Sequence, residues 1–129
     1  MASTLSDVGS IGVTSSYIDY SKNNVDQGIT FNQLSTGLYK DMFNEDKPLT
    51  DEERAIAERD LEITFNKFID IVATNRSLDR DKVVALADGS SMLGEQALEV
   101  GLIDQIGGED DALKYLENKT GPAAEVCWY

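Results

Sequence analysis

The chain has no histidine, and its single cysteine, Cys127, lies near the end of its 129 residues. The absence of histidine excludes Ser-His-Asp and Cys-His catalysis, because both need an imidazole as general base. One cysteine excludes an internal disulfide and any metal site built from several cysteines. Lysine and the carboxylates are therefore the side chains that remain as candidate bases, and neither a metal nor a cofactor is predicted.

Basic residues are scarce, since 11 lysines and arginines stand against 24 acidic residues and the formal net charge is −13. A surface of that sign repels phosphate backbones and anionic lipid headgroups, so nucleic acid is excluded as an expected partner. The sequence has no basic leader followed by an apolar core, and no run of the roughly 18 to 20 apolar residues that cross a bilayer. We therefore expect the chain to be soluble and any membrane anchor to lie upstream of it.

The length predicts one domain at most, with a modest hydrophobic core. We place this domain at residues 1–121. Residues 122–129, which begin at Pro122 after a glycine, are predicted to be a tail. The domain is expected to be of the α/β class, with short strands followed by a long helix and several shorter helices.

Lys40, in the segment 35–43, is the most informative residue of the chain. A lysine acts as a general base only when its amine is neutral, which requires a desolvated setting and a hydroxyl that orients the amine. Apolar neighbours are candidates for that setting: Leu38, Tyr39, Met42 and Phe43. Ser10, between Gly9 and Ile11, is the candidate for the hydroxyl.

Several motifs follow one another in a recognisable order. They are Val8-Gly-Ser-Ile-Gly-Val13, Gly37-Leu-Tyr-Lys40, Val72-Ala-Thr-Asn-Arg76, Ala87-Asp-Gly89 and the block 94–108. Together they resemble the C-terminal part of signal peptide peptidase A, also called protease IV, a family of Ser/Lys peptidases with a ClpP/crotonase-like fold. The resemblance covers about residues 3–120. Its last block is the most specific, because a short helix, a Gly-Leu-Ile-Asp segment, a Gly-Gly pair and an acidic helix start must coincide there.

The resemblance implies that Lys40 is the general base and that Ser10 hydrogen-bonds its amine. It also implies that the nucleophilic serine lies in a glycine-rich segment shortly before this chain begins, and that an oxyanion-stabilising glycine amide lies further upstream. We therefore expect a fragment that carries the base without the nucleophile and is inactive alone. Ser90-Ser91-Met92 departs from the family, which usually has a basic residue and bulky apolar residues there.

For the parent protein, the resemblance implies hydrolysis of signal peptides or other apolar peptides. It also implies a membrane-associated protein with an extracytoplasmic peptidase domain. The expected partners are the peptide substrate and further copies of the same chain, in a homo-oligomer whose sites form between neighbouring subunits.

Two interpretations of other classes stay open. The chain is alternatively a non-catalytic oligomerisation or interaction module of crotonase-like fold, in which Lys40 is idle. A third interpretation is another crotonase-like enzyme, such as an acyl-coenzyme A binder, which the acidic charge and the absence of a nucleotide-contact pattern disfavour.

Local patterns predict most of the elements. Strands are expected over residues 8–14 and 29–34, and a short helix over 15–24. The long helix is predicted to run from the N-cap Thr50 to about Asn75, because Glu53 completes a capping box. Its apolar stripe comprises Leu61, Phe65, Phe68, Ile69 and Val72, widened by Ile56, Ile63 and Ile71.

Beyond the long helix, three shorter helices are expected. They begin at Asp79 or Asp81, at Gly94 and at Glu109, and a small strand is predicted over 102–106. The acidic triplet 109–111 is assigned to the helix start rather than to a metal, because calcium loops need spaced oxygen ligands.

Overall fold

The computed structural model describes residues 1–121 and divides the chain into two compact units. The first unit comprises Met1–Gly12 together with the residues from Phe68 onward, and the second comprises Val13–Lys67. The division falls inside the longest helix, which therefore contributes its first part to the second unit and its last part to the first. The predicted tail, 122–129, lies outside the described residues.

A small antiparallel sheet belongs to the first unit. Its strands are β1 (Asp7–Gly9) and β2 (Ser91–Leu93), with Val8 opposite Met92. The strand expected over 8–14 therefore exists only at its beginning, because the positive φ angles of Gly9 and Ser10 interrupt the extended backbone. The strand β2 was not predicted, since three residues are too few to show the alternation that marks a strand.

Two predicted strands and the bounds of one predicted helix are wrong. Residues 29–34 form no strand, and in 102–106 only Ile106 takes part in an isolated parallel bridge, with Ala2. A strand needs a neighbour that accepts and donates its backbone hydrogen bonds, and no described residue pairs with 29–34. The helix expected over 15–24 is α1 (Ser21–Asp26), which begins six residues later.

The long helix, α2 (Asp51–Arg76), confirms the prediction. The hydroxyl of Thr50 accepts the Glu53 N–H at 3.2 Å, and the Glu53 carboxylate accepts the Thr50 N–H at 3.0 Å. These reciprocal bonds satisfy two backbone donors that have no partner inside the helix.

The predicted apolar stripe of α2 is confirmed along its centre and at Ile56, which is half-buried, and is wrong at its other two edge residues. Ile69 is fully buried, and the other four members are half-buried: Leu61, Phe65, Phe68 and Val72. Ile63 and Ile71 are 62% and 48% exposed, so these two residues do not widen the buried face.

The three shorter helices confirm the predictions made from their caps. They are α3 (Arg80–Leu86), α4 (Gly94–Val100) and α5 (Glu109–Thr120). The Asp79 carboxylate caps α3 by accepting the Asp81 N–H at 2.8 Å. Gly101 ends α4 in the left-handed conformation, with φ 88°. Such a residue is usually glycine, because it has no Cβ to clash.

In the first unit, α4 packs against both strands of the sheet. The buried apolar residues of this unit are Ile11, Ile69, Val83 and Ala97. Among the described residues, no helix combines the length and apolar composition needed to cross a membrane.

Candidate active site

Ser10 directly follows β1 and holds an unusual backbone conformation, with φ 53°. Its N–H donates to the Ser90 carbonyl oxygen at 2.8 Å, and the Gly89 N–H donates to the Ile11 carbonyl oxygen at 3.2 Å. A positive φ costs a serine about 1–3 kcal/mol and persists only where neighbouring contacts impose it, which happens most often at functional sites. The side chain of Ser10 is exposed.

Gly9 is required for this arrangement. Its φ is 125°, and a Cβ built there would lie 2.9 Å from the Ser90 carbonyl oxygen. Any larger residue would push β1 away from Ser90 and remove the bond that fixes Ser10. The sequence Gly-Ser at this point is thus explained by backbone geometry.

A groove of about 260 Å³ in the first unit is lined in part by Gly9 and Ile11, the chain neighbours of Ser10. Its apolar lining includes Val8, Ile11, Phe68, Val72 and Leu102.

Arg76, at the edge of this groove, fixes the end of α2 to the turn after α4. It donates to the Gly101 carbonyl oxygen at 2.9 Å and to both Asp104 carboxylate oxygens at 3.0 and 2.7 Å. This bidentate pair lowers the pKa of Asp104 and raises that of Arg76.

Lys40 lies in the second unit, on a run of tight turns. Its own N–H donates to the Gly37 carbonyl oxygen at 3.1 Å, and the Met42 N–H donates to the Tyr39 carbonyl oxygen at 3.2 Å. The side chain is exposed and borders an open groove of about 500 Å³, together with Ser35. Within the described part of the chain, its amine has neither an ion-pair partner nor a hydrogen-bond partner.

The desolvated setting expected for Lys40 is not formed by its apolar neighbours in the described residues. Leu38 is 80% exposed, and Tyr39 and Phe43 are also exposed. Of the four expected neighbours only Met42 is half-buried, and Lys40 itself is exposed.

The turn that follows Lys40 is strained and firmly held. Phe43 has φ 67°, which is rare for an aromatic residue. Its ring lies 6.0 Å from that of Tyr17, at an angle of 59°. The Asn44 side-chain amide donates to the Asp41 carboxylate at 3.0 Å, and the Asn44 backbone N–H donates to the Asp41 carbonyl oxygen at 3.3 Å.

Further polar contacts fix the segment between this turn and α2. The Asn24 amide donates to the Asp46 carboxylate at 2.8 Å. The Lys47 amine forms an ion pair with Glu53 at 2.6 Å, and Glu53 is only 2% exposed. The bond from Lys47, followed by that from the Thr50 N–H, lowers the pKa of Glu53 despite its burial.

Apart from the capping box of Glu53, these contacts were not predicted from the sequence, because Asp41, Asn44, Asp46 and Lys47 lie in irregular structure. Lys47 and Glu53 are six residues apart with a helix start between them, so no helical or strand spacing relates them. The turn at Asp41 and Asn44 could have been predicted, because aspartate and asparagine side chains favour turns by hydrogen-bonding to nearby backbone groups.

Ser10 and Lys40 belong to different units, and each is held by contacts within its own unit. Within residues 1–121, no group of three or more histidine, cysteine or acidic side chains is placed to hold a metal ion. At the acidic start of α5, the Asp111 carboxylate accepts a hydrogen bond from the Gly108 N–H at 3.0 Å.

Comparison with known proteins identifies relatives along almost the whole chain. A protein of Synechocystis sp. named "putative protease" is 34% identical over 126 residues, which are 94% of this chain and 44% of that protein. A protein of Enterococcus faecium named "putative signal peptide peptidase SppA" is 36% identical over 111 residues, which are 86% of this chain and 32% of that protein. The chloroplastic serine protease SPPA of Arabidopsis thaliana is 31% identical over 120 residues, which are 92% of this chain and 18% of that protein.

This chain thus spans less than half the length of each of these relatives. The model of Peptidase family S49 matches residues 1–121. The chain therefore belongs to peptidase family S49, the family of signal peptide peptidase A and protease IV.

Proposed function

We propose that this chain is part of a Ser/Lys serine peptidase with a ClpP/crotonase-like fold, in which Lys40 is the general base. The observation that carries the proposal is the unpartnered amine of Lys40, presented beside an open groove by a firmly held turn. Membership of a peptidase family and the absence of histidine support it, because a lysine is then the natural replacement for the imidazole base.

The proposed reaction places the nucleophilic serine outside these residues. Lys40 takes the proton of that serine as its oxygen attacks the peptide carbonyl carbon, and it returns the proton to the leaving amine. Water then hydrolyses the acyl-enzyme. Ser10, in its constrained conformation, accepts or donates a hydrogen bond at the lysine amine and orients it.

The name of one relative supports a proposal for the substrate class. Signal peptides and other apolar peptides are the proposed substrates, since one relative is named for signal peptides. We further propose that the whole protein is membrane-associated, with its peptidase part outside the cytoplasm, and that it assembles into homo-oligomers whose sites form between subunits. The exposed apolar side chains near Lys40, such as Leu34 and Leu38, are suited to contact with a neighbouring subunit.

A Lys40→Met variant of the full-length peptidase tests the proposed base. Methionine keeps most of the stem volume and removes the amine, so hydrolysis should be abolished while helix content and thermal midpoint stay unchanged. Lys22→Met is the matched control, because Lys22 is an exposed lysine of the same unit. Ser10→Ala should reduce turnover less than Lys40→Met does, since it misorients the base without deleting it.

A second function, a non-catalytic interaction module, is favoured by one observation. Leu34 is 99% exposed and Leu38 is 80% exposed, which is typical of side chains that bind another surface. If Lys40→Met retained near-wild-type turnover while Leu34→Ser and Leu38→Ser weakened self-association in sedimentation experiments, this function would replace the catalytic one.

A further inference from the structure

Thr36 lines the same groove as Lys40, and its hydroxyl has no hydrogen-bond partner among residues 1–121. The other hydroxyl of this groove, that of Ser35, is already engaged. It donates to the Gly37 carbonyl oxygen at 3.2 Å and accepts the side-chain amide of Gln33 at 3.0 Å. The Thr36 hydroxyl and the Lys40 amine are therefore the two polar groups of the groove whose hydrogen bonds remain to be made within the described part of the chain.

A tight turn brings the start of the lysine side chain close to Thr36. The Lys40 N–H donates to the Gly37 carbonyl oxygen at 3.1 Å, and a Cβ built on Gly37 would lie 3.7 Å from the Lys40 Cβ. Thr36 is bonded directly to Gly37. Both side chains are exposed, and exposed side chains change rotamer within nanoseconds. The amine, on its flexible four-carbon stem, can therefore reach the hydroxyl through the groove that the two residues share.

A neutral lysine amine has two N–H groups and one lone pair. A general base must aim that lone pair at the proton that it takes, and rotation about the bond to the nitrogen turns it away. One acceptor holds one N–H, and the proposed function gives this role to Ser10. The second N–H loses its water when a peptide covers the groove, so it needs an acceptor from the protein.

We propose that Thr36 Oγ1 is this second acceptor and that it aims the Lys40 lone pair at the nucleophilic serine. The inference rests on the proposed function, because it requires Lys40 to be the base. Thr36 is thus a positioning residue, which acts through Lys40 and transfers no proton itself. Threonine suits this role, because its β-branched side chain has few χ1 rotamers and loses little entropy when the hydroxyl is held.

Hydrolysis of an apolar fluorogenic peptide by variants of the full-length peptidase tests the proposal. Thr36→Val keeps the branched shape of the side chain and removes the hydroxyl, whereas Thr36→Ser keeps the hydroxyl and removes the methyl group. Thr30→Val is the matched control, because Thr30 is an exposed threonine of the same unit that does not line this groove. Lys40→Met is assayed beside these variants.

The proposal predicts a loss in kcat without a change in KM, as expected for an interaction that acts on the base and not on substrate binding. Thr36→Val should lower kcat about tenfold, which corresponds to one lost hydrogen bond, while KM and the thermal midpoint stay at the wild-type values. Thr36→Ser should restore kcat to within about twofold of wild type, since its hydroxyl is present but less restricted. Thr30→Val should match wild type.

An unchanged kcat in Thr36→Val would overturn the proposal. A raised KM at unchanged kcat would overturn it as well, and would make Thr36 a contact of the peptide instead. Equal losses of kcat in Thr36→Val and Thr36→Ser, or in Thr36→Val and Thr30→Val, would assign the effect to packing and contradict a role of the hydroxyl. Failure of the proposed function itself is recognised separately, because Lys40→Met would then retain hydrolysis.

Discussion

At the scale of single residues, Glu53 shows how one side chain serves two elements. It closes the capping box of α2 with Thr50 and also pairs with Lys47, which lies before the helix begins. Burying a carboxylate is unfavourable unless charge and hydrogen bonds compensate for the lost water. Glu53 has both an ion pair and hydrogen bonds, and its pKa is lowered.

The lowered pKa of Glu53 gives a prediction about pH. A carboxylate with a depressed folded pKa contributes stability above its unfolded pKa and loses it as pH falls through the folded pKa. Glu53→Gln should therefore lower the free energy of unfolding at neutral pH by about 1–3 kcal/mol. The difference from wild type should shrink at pH values below the usual range of a glutamate. Urea titrations at neutral and acidic pH would measure both effects.

Glu52→Gln is the control for this prediction. Glu52 lies in the same first turn of α2 and is exposed. Glu52→Gln should change the free energy of unfolding by a few tenths of a kcal/mol, through the helix dipole alone. Equal destabilisation by the two substitutions would show that the ion pair with Lys47 contributes nothing measurable.

At the scale of elements, four of the helices could be predicted from sequence, whereas the strands could be predicted only in small part. The bounds of α2, α3 and α4 follow from signals within a few residues of each end, namely the capping box of Thr50, the cap of Asp79 and the stop at Gly101. The sheet depends on pairing between residues 7–9 and 91–93, which are far apart in the chain. No local pattern specifies such a partner. Residues 29–34 are strand-like in sequence, but no described residue pairs with them as a strand.

A close approach between the start of α4 and the N-terminal segment gives an element-scale prediction. A Cβ on Gly94 would overlap the Ser3 carbonyl oxygen. Gly94→Ala should therefore shift this backbone and cost about 1–3 kcal/mol, although alanine favours helices. Gly108→Ala is the control, because nothing lies within 4 Å of a Cβ at that position. Chemical denaturation of both variants measures the difference, and an unchanged midpoint for Gly94→Ala would contradict the contact.

At the scale of the whole molecule, sequence alone identified the family but not the geometry of the proposed site. Lys40 and Ser10 were chosen from motif resemblance, and their roles stay predictions. The left-handed conformation of Ser10 is accompanied by a hydrogen bond to Ser90 that no motif encodes. The isolated chain also leaves Lys40 exposed, whereas a lysine base requires a desolvated setting.

The last prediction is that the chain of 129 residues alone hydrolyses no peptide. A base without a positioned nucleophile and oxyanion donors loses most of the acceleration of a serine peptidase. Ser35 borders the same groove as Lys40, but its hydroxyl donates to the Gly37 carbonyl oxygen at 3.2 Å instead of to the lysine.

Incubation of the purified chain with an apolar fluorogenic peptide and with a serine-directed fluorophosphonate tests this prediction. Neither turnover nor labelling is expected, whereas the full-length peptidase, as positive control, should show both. Turnover with labelling of Ser10 or Ser35 would place the nucleophile within these residues and overturn its assignment to an upstream segment.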